Sequence, residues 1–380
     1  MTATPTGQSL AKGAAGIALL HIERARTGIA DWDTAHHWLT DAATGNVNAG
    51  DGTGLFYGAT SLAFALEAAG PGRYERPRAH LLAHTEALAH RRLDRAEVRL
   101  RRRELPGLEE FDLIYGLTGI GAHLLRAAPG SDALGRTLAH LVRLTEPLRL
   151  DGQHVPGWWT GHDPHFRQPP AFPNGHANLG MAHGITGPLA LLALSLRDGV
   201  EVHGHRDAIG RICAWLDDWQ QDTDGIPWWP QWINFEEVRS RRIAHRGPFR
   251  PSWCYGTPGI ARAQQLAALA TGDIHRQHLA ENAIAACLSD TDQLDQLTDS
   301  SLCHGWAGLF QTVWRASQDA TESPLAMRLP HLRDVLIQQE RSFGDDGPGY
   351  LEGHAGLLLA LHTAHHSSPQ SGWDTSLLLA

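Results

Sequence analysis

Six stretches of this chain repeat one phrase: a residue, glycine, two residues, glycine, then an apolar run. They are KGAAGIALL (12–20), YGLTGIGAHLL (115–125), HGITGPLALL (183–192), YGTPGIARA (255–263), HGWAGLFQT (304–312) and EGHAGLLLAL (352–361). A seventh, YGATSLAFAL (57–66), has Ser61 where the second glycine would stand. The leading glycines, Gly13, Gly58, Gly116, Gly184, Gly256, Gly305 and Gly353, are 45, 58, 68, 72, 49 and 48 residues apart. Each interval holds two helices and two turns, the period of a helical-hairpin array. After Thr257 and Pro258, residues Ile260, Ala263, Ala267 and Ala270 share one helical face. Thr257 is placed to cap that helix and Pro258 suits its first turn. Between phrases lie other helical segments, such as 207–219 with Ile209, Ile212, Leu216 and Trp219 in register. The pattern predicts seven inner helices, each opened by the phrase and all pointing the same way, alternating with seven outer ones. A length of 380 residues by itself suggests two or three domains. A ring of hairpins is one domain, expected here to span 1–380.

Alignment on the leading glycine locates the chemistry. Two positions before it stand Ala11, Phe56, Ile114, Ala182, Cys254, Cys303 and Leu351; one position before stand Lys12, Tyr57, Tyr115, His183, Tyr255, His304 and Glu352. If the repeats close into a ring, equivalent positions face a common axis, and Cys254, Cys303, His304 and His183 would then converge although they are far apart in sequence. Cys254, Cys303 and His304 make a candidate zinc site, since zinc favours thiolate and imidazole and a catalytic site keeps a fourth position open. Both cysteines would precede an inner-helix N-terminus, where the dipole favours thiolate. The competing reading is a pair of buried free cysteines. That reading suits Cys213 and Cys287, which lie on apolar helix faces with Ile209, Leu216, Ile284 and Leu288.

A net charge of −9 argues against nucleic acid as partner. The four cysteines show no secretory framework. No apolar run approaches the roughly 20 residues of a membrane helix, and MTATPTGQSLAKG is not a signal sequence. The expectation is a cytoplasmic protein without a transmembrane segment.

Two irregular inserts fill the longest intervals. One, 151–175, holds Pro156, Trp158, Trp159, Pro169, Pro170 and Pro173; the other, 221–252, holds Trp228, Trp229, Pro230, Trp232, Pro248 and Pro251. Loops this long tend to be functional, and both lead into the motifs of His183 and Cys254. They are expected to rim the cleft, although the tryptophans have the alternative of packing the loops onto the ring. The arginine cluster from Arg91 to Arg103 reads either as a solvated helix face or as a docking surface for an acidic leader peptide or partner enzyme. The 24 histidines, His362, His365 and His366 among them, are mostly scattered, and those without cysteines nearby read as surface residues.

FDLIYGLTGIG, NLGMAHGITG, WCYGTPG, LCHGWAG and EGHAGLLLAL together resemble the motif series of the lanthipeptide cyclases, the LanC family. The resemblance spans nearly the whole chain, and its most specific part is the WCYG and CHG pair. It implies an all-α fold, an α/α toroid or double barrel of seven helical hairpins, around a central zinc held by Cys254, Cys303 and His304. It implies an enzyme that closes lanthionine and methyllanthionine rings by Michael addition of precursor-peptide cysteine thiolates to dehydroalanine or dehydrobutyrine. No dehydratase-like region is present, so the resemblance is to the stand-alone cyclase of class I pathways. The partners it implies are a dehydrated precursor peptide with its leader, and a dehydratase and peptide transporter. Matched residue by residue, His183 stands at the family's proposed acid/base histidine, Asp112 at its acidic active-site residue and Arg250 at an active-site arginine. Ser61 and Lys12, the latter where family members often have histidine, depart from the pattern.

The residues suit such a reaction. A free thiol, with a pKa of about 8.5, is mostly protonated at neutral pH; a zinc position would ionise it. The enolate product needs a proton, which His183 or a water supplies. Asp112 would orient His183, and Arg250 would stabilise the enolate. Asp112 also reads as a helix cap and Arg250 as a surface ion-pair residue. Three other functions share these features: a prenyltransferase subunit, a non-catalytic zinc-stabilised peptide-binding scaffold, and a LanC-like protein that adds glutathione to dehydrated residues.

Overall fold

A computed structural model describes residues 6–164, 172–320, 324–344, 347–366 and 368–380; Pro169 and Pro170 lie outside them. The chain runs through α1 (Ala14–Arg26), α2 (Trp32–Ala42), α3 (Ala59–Ala68), α4 (Glu75–Arg102), α5 (Leu117–Ala127) and α6 (Asp132–Arg143). The ribbon β1 (Leu148–Leu150) and β2 (Gln153–Val155) follows, then β3 (His176–Asn178), α7 (Thr186–Arg197) and α8 (His205–Trp219). Strands β4 (Gln221–Thr223), β5 (Ile226–Trp228) and β6 (Trp232–Asn234) lead to α9 (Phe235–Ser240), α10 (Thr257–Thr271), α11 (Ile274–Cys287) and α12 (Thr291–Leu294). The chain ends with α13 (Trp306–Asp319), α14 (Leu329–Arg341) and α15 (His354–His366). Among the described residues no helix is long and apolar enough to cross a membrane.

The phrases open α1, α3, α5, α7, α10, α13 and α15. Each packs on the next, and α15 packs on α1, which closes the inner ring. These helices are apolar nearly all round: in α7 every residue from Thr186 to Leu196 is buried, as expected of a helix covered on all sides. The other long helices, α2, α4, α6, α8, α11 and α14, form the outer layer, and this is the α/α toroid that the motif series implies. The seven outer helices read from the sequence come to six among the described residues. After α15 the chain turns into the inner ring instead. Trp373 and Leu377 to Leu379 are fully buried there. Glu23 of α1 accepts from the Gln370 and Ser371 amides, Arg126 of α5 donates to the Ser371 and Gly372 carbonyls, and Arg315 of α13 pairs with Asp374 at 2.6 and 2.8 Å. Every hydrogen-bonding group that this segment takes into the ring needs such a partner, because an unpaired buried one costs about 1–3 kcal/mol.

The glycine pair is a packing requirement. A Cβ on the leading glycine of five phrases, from Gly116 to Gly353, would be driven into the amide nitrogen four residues earlier. One on Gly16, Gly119, Gly259, Gly308 or Gly356 would strike the carbonyl oxygen six residues earlier, closer than real Cβ contacts come. The side chain four before the leading glycine ties the same turn: Ser9, Asp112, Ser252 and Ser301 accept the amides of Lys12, Tyr115, Tyr255 and His304. Gly256 rather than Thr257 is the N-cap of α10, with no side-chain cap bond, while Pro258 sits in the first turn as expected. In an ordinary helix Gly→Ala stabilises by up to ~1 kcal/mol; Gly308→Ala should instead destabilise by roughly 1–3 kcal/mol. A lowered midpoint in denaturant melts checks the sign.

One turn repeated seven times gives three kinds of position. The residues three before the glycine, Leu10, Leu55, Leu113, Met181, Trp253, Leu302 and Tyr350, are all fully buried inside the inner ring. Those one before are all at least partly exposed, at the open end. Between them a belt of backbone hydrogen bonds joins neighbouring repeats: Leu10 N to Phe56 O, Leu113 N to Ala182 O, Ala182 N to Cys254 O, Cys254 N to Cys303 O, Cys303 N to Leu351 O, and Leu351 N to Ala11 O, at 2.8–3.3 Å. The junction of the second and third repeats differs. There the buried Arg92 of α4 spans the gap, donating to the carbonyls of Thr53 (2.6 Å), Tyr115 (2.5 Å) and Asp51 (3.0 Å). This is the degenerate repeat, and its Gly58 alone among the leading glycines has a positive φ, +83°.

Candidate metal centre and active site

Positions two and one before the glycine bring Cys254, Cys303 and His304 together at the open end, with ligand atoms all within 4.8 Å of one another. The donors are two sulfurs and one imidazole, the set that zinc prefers. The thiols titrate as a pair. Hydrogen bonds from Cys303, His304 and Ser252 hold Cys254 well below the usual thiol range in spite of its burial. The hydrogen bond to Cys254, and burial, push Cys303 well up. The pair as it stands shares one proton; ionising both sulfurs this close would need a cation between them, and the donor set of two sulfurs and an imidazole fits a divalent metal. Cys213 and Cys287 are the contrast: burial raises Cys213 to about 11 and Cys287 further, and both remain inert thiols inside the helix layers.

His304 has a neighbour that the sequence reading missed. Asp299 Oδ2 lies 3.4 Å from His304 Nε2, the arrangement in which a carboxylate orients a ligating imidazole through its second nitrogen. The hydrogen bond to Cys254, with Asp299 behind it, raises His304 above the usual histidine range against burial. Arg250 lies on the other side of Asp299, Nη1 4.0 Å from the same oxygen, with its side chain 39% exposed. Asp299 and Arg250 both stand six residues before a leading glycine, a register signal that would have found the aspartate.

In the fourth repeat Ala182 stands at the cysteine position and His183 at the position of His304. His183 Nδ1 is 2.6 Å from Asp112 Oδ2, and Asp112 is fully buried. Asp112 is not a helix cap, since Gly116 is the N-cap of α5 with no side-chain cap bond; its Oδ1 accepts the Tyr115 amide at 2.6 Å in the turn before it, and its second oxygen takes the imidazole. Burial pulls the pKa of His183 down, but the charge and hydrogen bond of Asp112 outweigh it, Cys254 adds to them, and the net shift is upward. Tyr115 stacks on the ring at a centroid distance of 5.6 Å and Tyr255 flanks it at 6.2 Å. Asn178 donates to Tyr255 Oη at 3.0 Å.

Described parts of both inserts join the turn of His183: Thr160 of the first bridges to His176 of β3. Strands β3 and β6 pair antiparallel, Ala177 opposite Ile233, and β3 runs directly into the turn that carries His183. The tryptophans serve packing: Trp158, Trp159, Trp228 and Trp229 are all buried, and Trp229 Nε1 donates to the Leu216 carbonyl of α8. Four of the seven arginines between Arg91 and Arg103 find partners within the fold, while Arg101, Arg102 and Arg103 are exposed. Arg91 and Arg95 pair with Asp51, Arg99 pairs with Glu110, and Arg92 is the buried staple. The surface reading of the histidines fails for several. His123, His176 and His205 are buried, with His123 pushed down to about 3 by burial. His362 is only 7% exposed and lies 3.1 Å from the Thr27 hydroxyl. The outer faces of α1 and α15 that hold it are covered by neighbouring elements.

Comparison with known proteins agrees with this arrangement. The sequence model of the lanthionine synthetase C-like proteins matches residues 4–378. The nisin biosynthesis protein NisC of Lactococcus lactis subsp. lactis is 22% identical over 276 residues, which cover 71% of this chain and 64% of that protein. The match thus spans less than two thirds of that relative's length. Among solved structures, nisin cyclase superposes with a TM-score of 0.81 at 20% identity, over 99% of this chain and 93% of the other. Since the family match runs through every glycine phrase and both cysteine motifs, the chain belongs to the lanthionine synthetase C-like family.

Proposed function

We propose that this protein is a zinc-dependent cyclase, a single toroid domain over 1–380. It would close lanthionine and methyllanthionine rings by adding cysteine thiols of a dehydrated precursor peptide to its dehydroalanine or dehydrobutyrine residues. One observation carries the reading: the Cys254–Cys303–His304 cluster and the His183–Asp112 pair lie at one open end of the same ring. Zinc held by the cluster would let a substrate thiol ionise at neutral pH. Addition to the dehydro residue forms the carbon–sulfur bond at the β-carbon and leaves the electron pair on an enolate. His183, held through Nδ1 by Asp112, would deliver the proton to the α-carbon from Nε2. Arg250 would offset the negative charge of the enolate oxygen, and Asp299 would keep the His304 ring in its ligating orientation.

Incubation of a dehydrated precursor with the zinc-loaded protein, then thiol alkylation and mass spectrometry, tests the proposal; every cysteine remaining alkylatable would refute it. Asp112→Asn refines the test. The acid form of His183 is lost as pH rises through its folded-state pKa, which Asp112 raises. Removing that charge should therefore move the alkaline limb of kcat/KM to lower pH and cut the rate at neutral pH. An unmoved limb would detach Asp112 from the proton donor.

A further inference from the structure

The degenerate second repeat opens a cavity beside the active site. Where the backbone belt lapses between the second and third repeats, a space of about 440 Å³ is lined by Ala11, Lys12, Phe56, Tyr57, Ile114 and Tyr115. It opens at the same end as the cysteines, because Lys12, Tyr57 and Tyr115 occupy the positions equivalent to His183 and His304. Tyr115 belongs to both places: it walls the cavity and stacks on His183. The lining is mainly apolar and aromatic. Its one cation, Lys12, is paired with Glu352 across the closing seam of the ring at 2.5 Å, so the cavity offers no unspent charge to an acidic side chain. Its wall is held from behind by Arg92, through the carbonyls of Thr53 and Tyr115.

We infer that this cavity is a specificity subsite, which seats an apolar or aromatic side chain of the peptide substrate next to the reacting dehydroamino acid. The inference rests on the cyclase reading and adds to it a preference among substrates. Distance supports it. The cavity wall stands one ring stack, 5.6 Å between centroids, from His183, and an extended peptide advances about 3.3–3.6 Å per residue. A side chain one or two positions from the reacting carbon therefore reaches the cavity. Sequence supports it too, since Ser61 and the positive φ of Gly58 set this one turn apart from the other six, and the space lies where the turns differ.

The test uses two synthetic peptides, each with one dehydroalanine and one cysteine at the same spacing, differing only in leucine or glycine next to the dehydroalanine. Wild-type protein loaded with zinc should close the leucine peptide with kcat/KM at least about tenfold higher, the difference lying mainly in KM. Ala11→Phe and Gly54→Leu each place bulk in the cavity. A Cβ on Gly54 meets nothing closer than the Ile114 carbonyl at 3.4 Å, so that variant serves if the first misfolds. In either variant the leucine peptide should fall to the level of the glycine peptide, while the glycine peptide stays within about threefold and zinc content is unchanged. Equal closure of both peptides by wild type, or a preference that survives both fillings, overturns the subsite alone. Closure of neither peptide by zinc-loaded wild type overturns the cyclase reading and the subsite with it.

Discussion

Cys303→Ala is expected to strip the protein of zinc and abolish ring closure while leaving its helices intact. The metal would lose one of three protein ligands. The remaining sulfur and imidazole would hold zinc too weakly to survive dialysis, and with the metal would go the several kcal/mol of charge stabilisation that it would contribute. A rate loss of at least ~10³ follows. The fold should survive, because the structural part of residue 303 is its backbone: its amide donates to Leu351 and its carbonyl accepts from Cys254, and alanine keeps both bonds. The matched measurements are zinc per chain, far-ultraviolet circular dichroism and alkylation mass spectrometry on one sample. Added zinc should raise the melting temperature of wild type, by linkage to the folded state, and leave that of the variant unmoved. Full zinc occupancy in Cys303→Ala would remove Cys303 from the ligand set.

His183→Asn separates proton transfer from metal binding. The variant should keep its zinc and still bind precursor, yet close rings more slowly by about 10²–10⁴, the usual contribution of a positioned acid or base. The reason lies in register. His183 matches His304, but Ala182 precedes it where the metal repeats carry cysteine, and its Nδ1 is taken by Asp112 at 2.6 Å. Loss of zinc would instead make His183 a ligand. Zinc retained with wild-type turnover would assign the proton to another group or to water.

How much of this was readable in advance follows from the glycine pair. Five of the seven phrases leave no room for a Cβ against the backbone four and six residues earlier, so these copies build nearly the same turn. The toroid itself was what the motif resemblance implies. A shared turn makes register a statement about geometry, which is why the seven inner helices and the meeting of Cys254, Cys303 and His304 were legible from the sequence. So was the placement of His183 with them, since the residue before each glycine faces the open end in all seven repeats. The proximity of Asp112 to His183 came only through the motif resemblance: register places Asp112 four residues before Gly116, as Ser9, Ser252 and Ser301 stand before theirs, but does not say which side chain of the next repeat it meets.

The rest depends on contacts between repeats, and such contacts leave no local signature. Burial of Trp158, Trp229 and His362 is decided by which elements cover them. Arg92 can bridge a gap only where the belt fails. Among the described residues the seventh outer helix is absent for the same kind of reason: residues 370–379 find buried partners in Glu23, Arg126 and Arg315, on three different inner helices, and lie inside the ring rather than against it. The sequence by itself determined the repeated turn and what each register position faces, because those follow from sterics within about six residues of chain. Only the tertiary structure decided which buried charges meet, where the ring is plugged and where it opens into a cavity, because those depend on groups brought together from repeats tens to hundreds of residues apart.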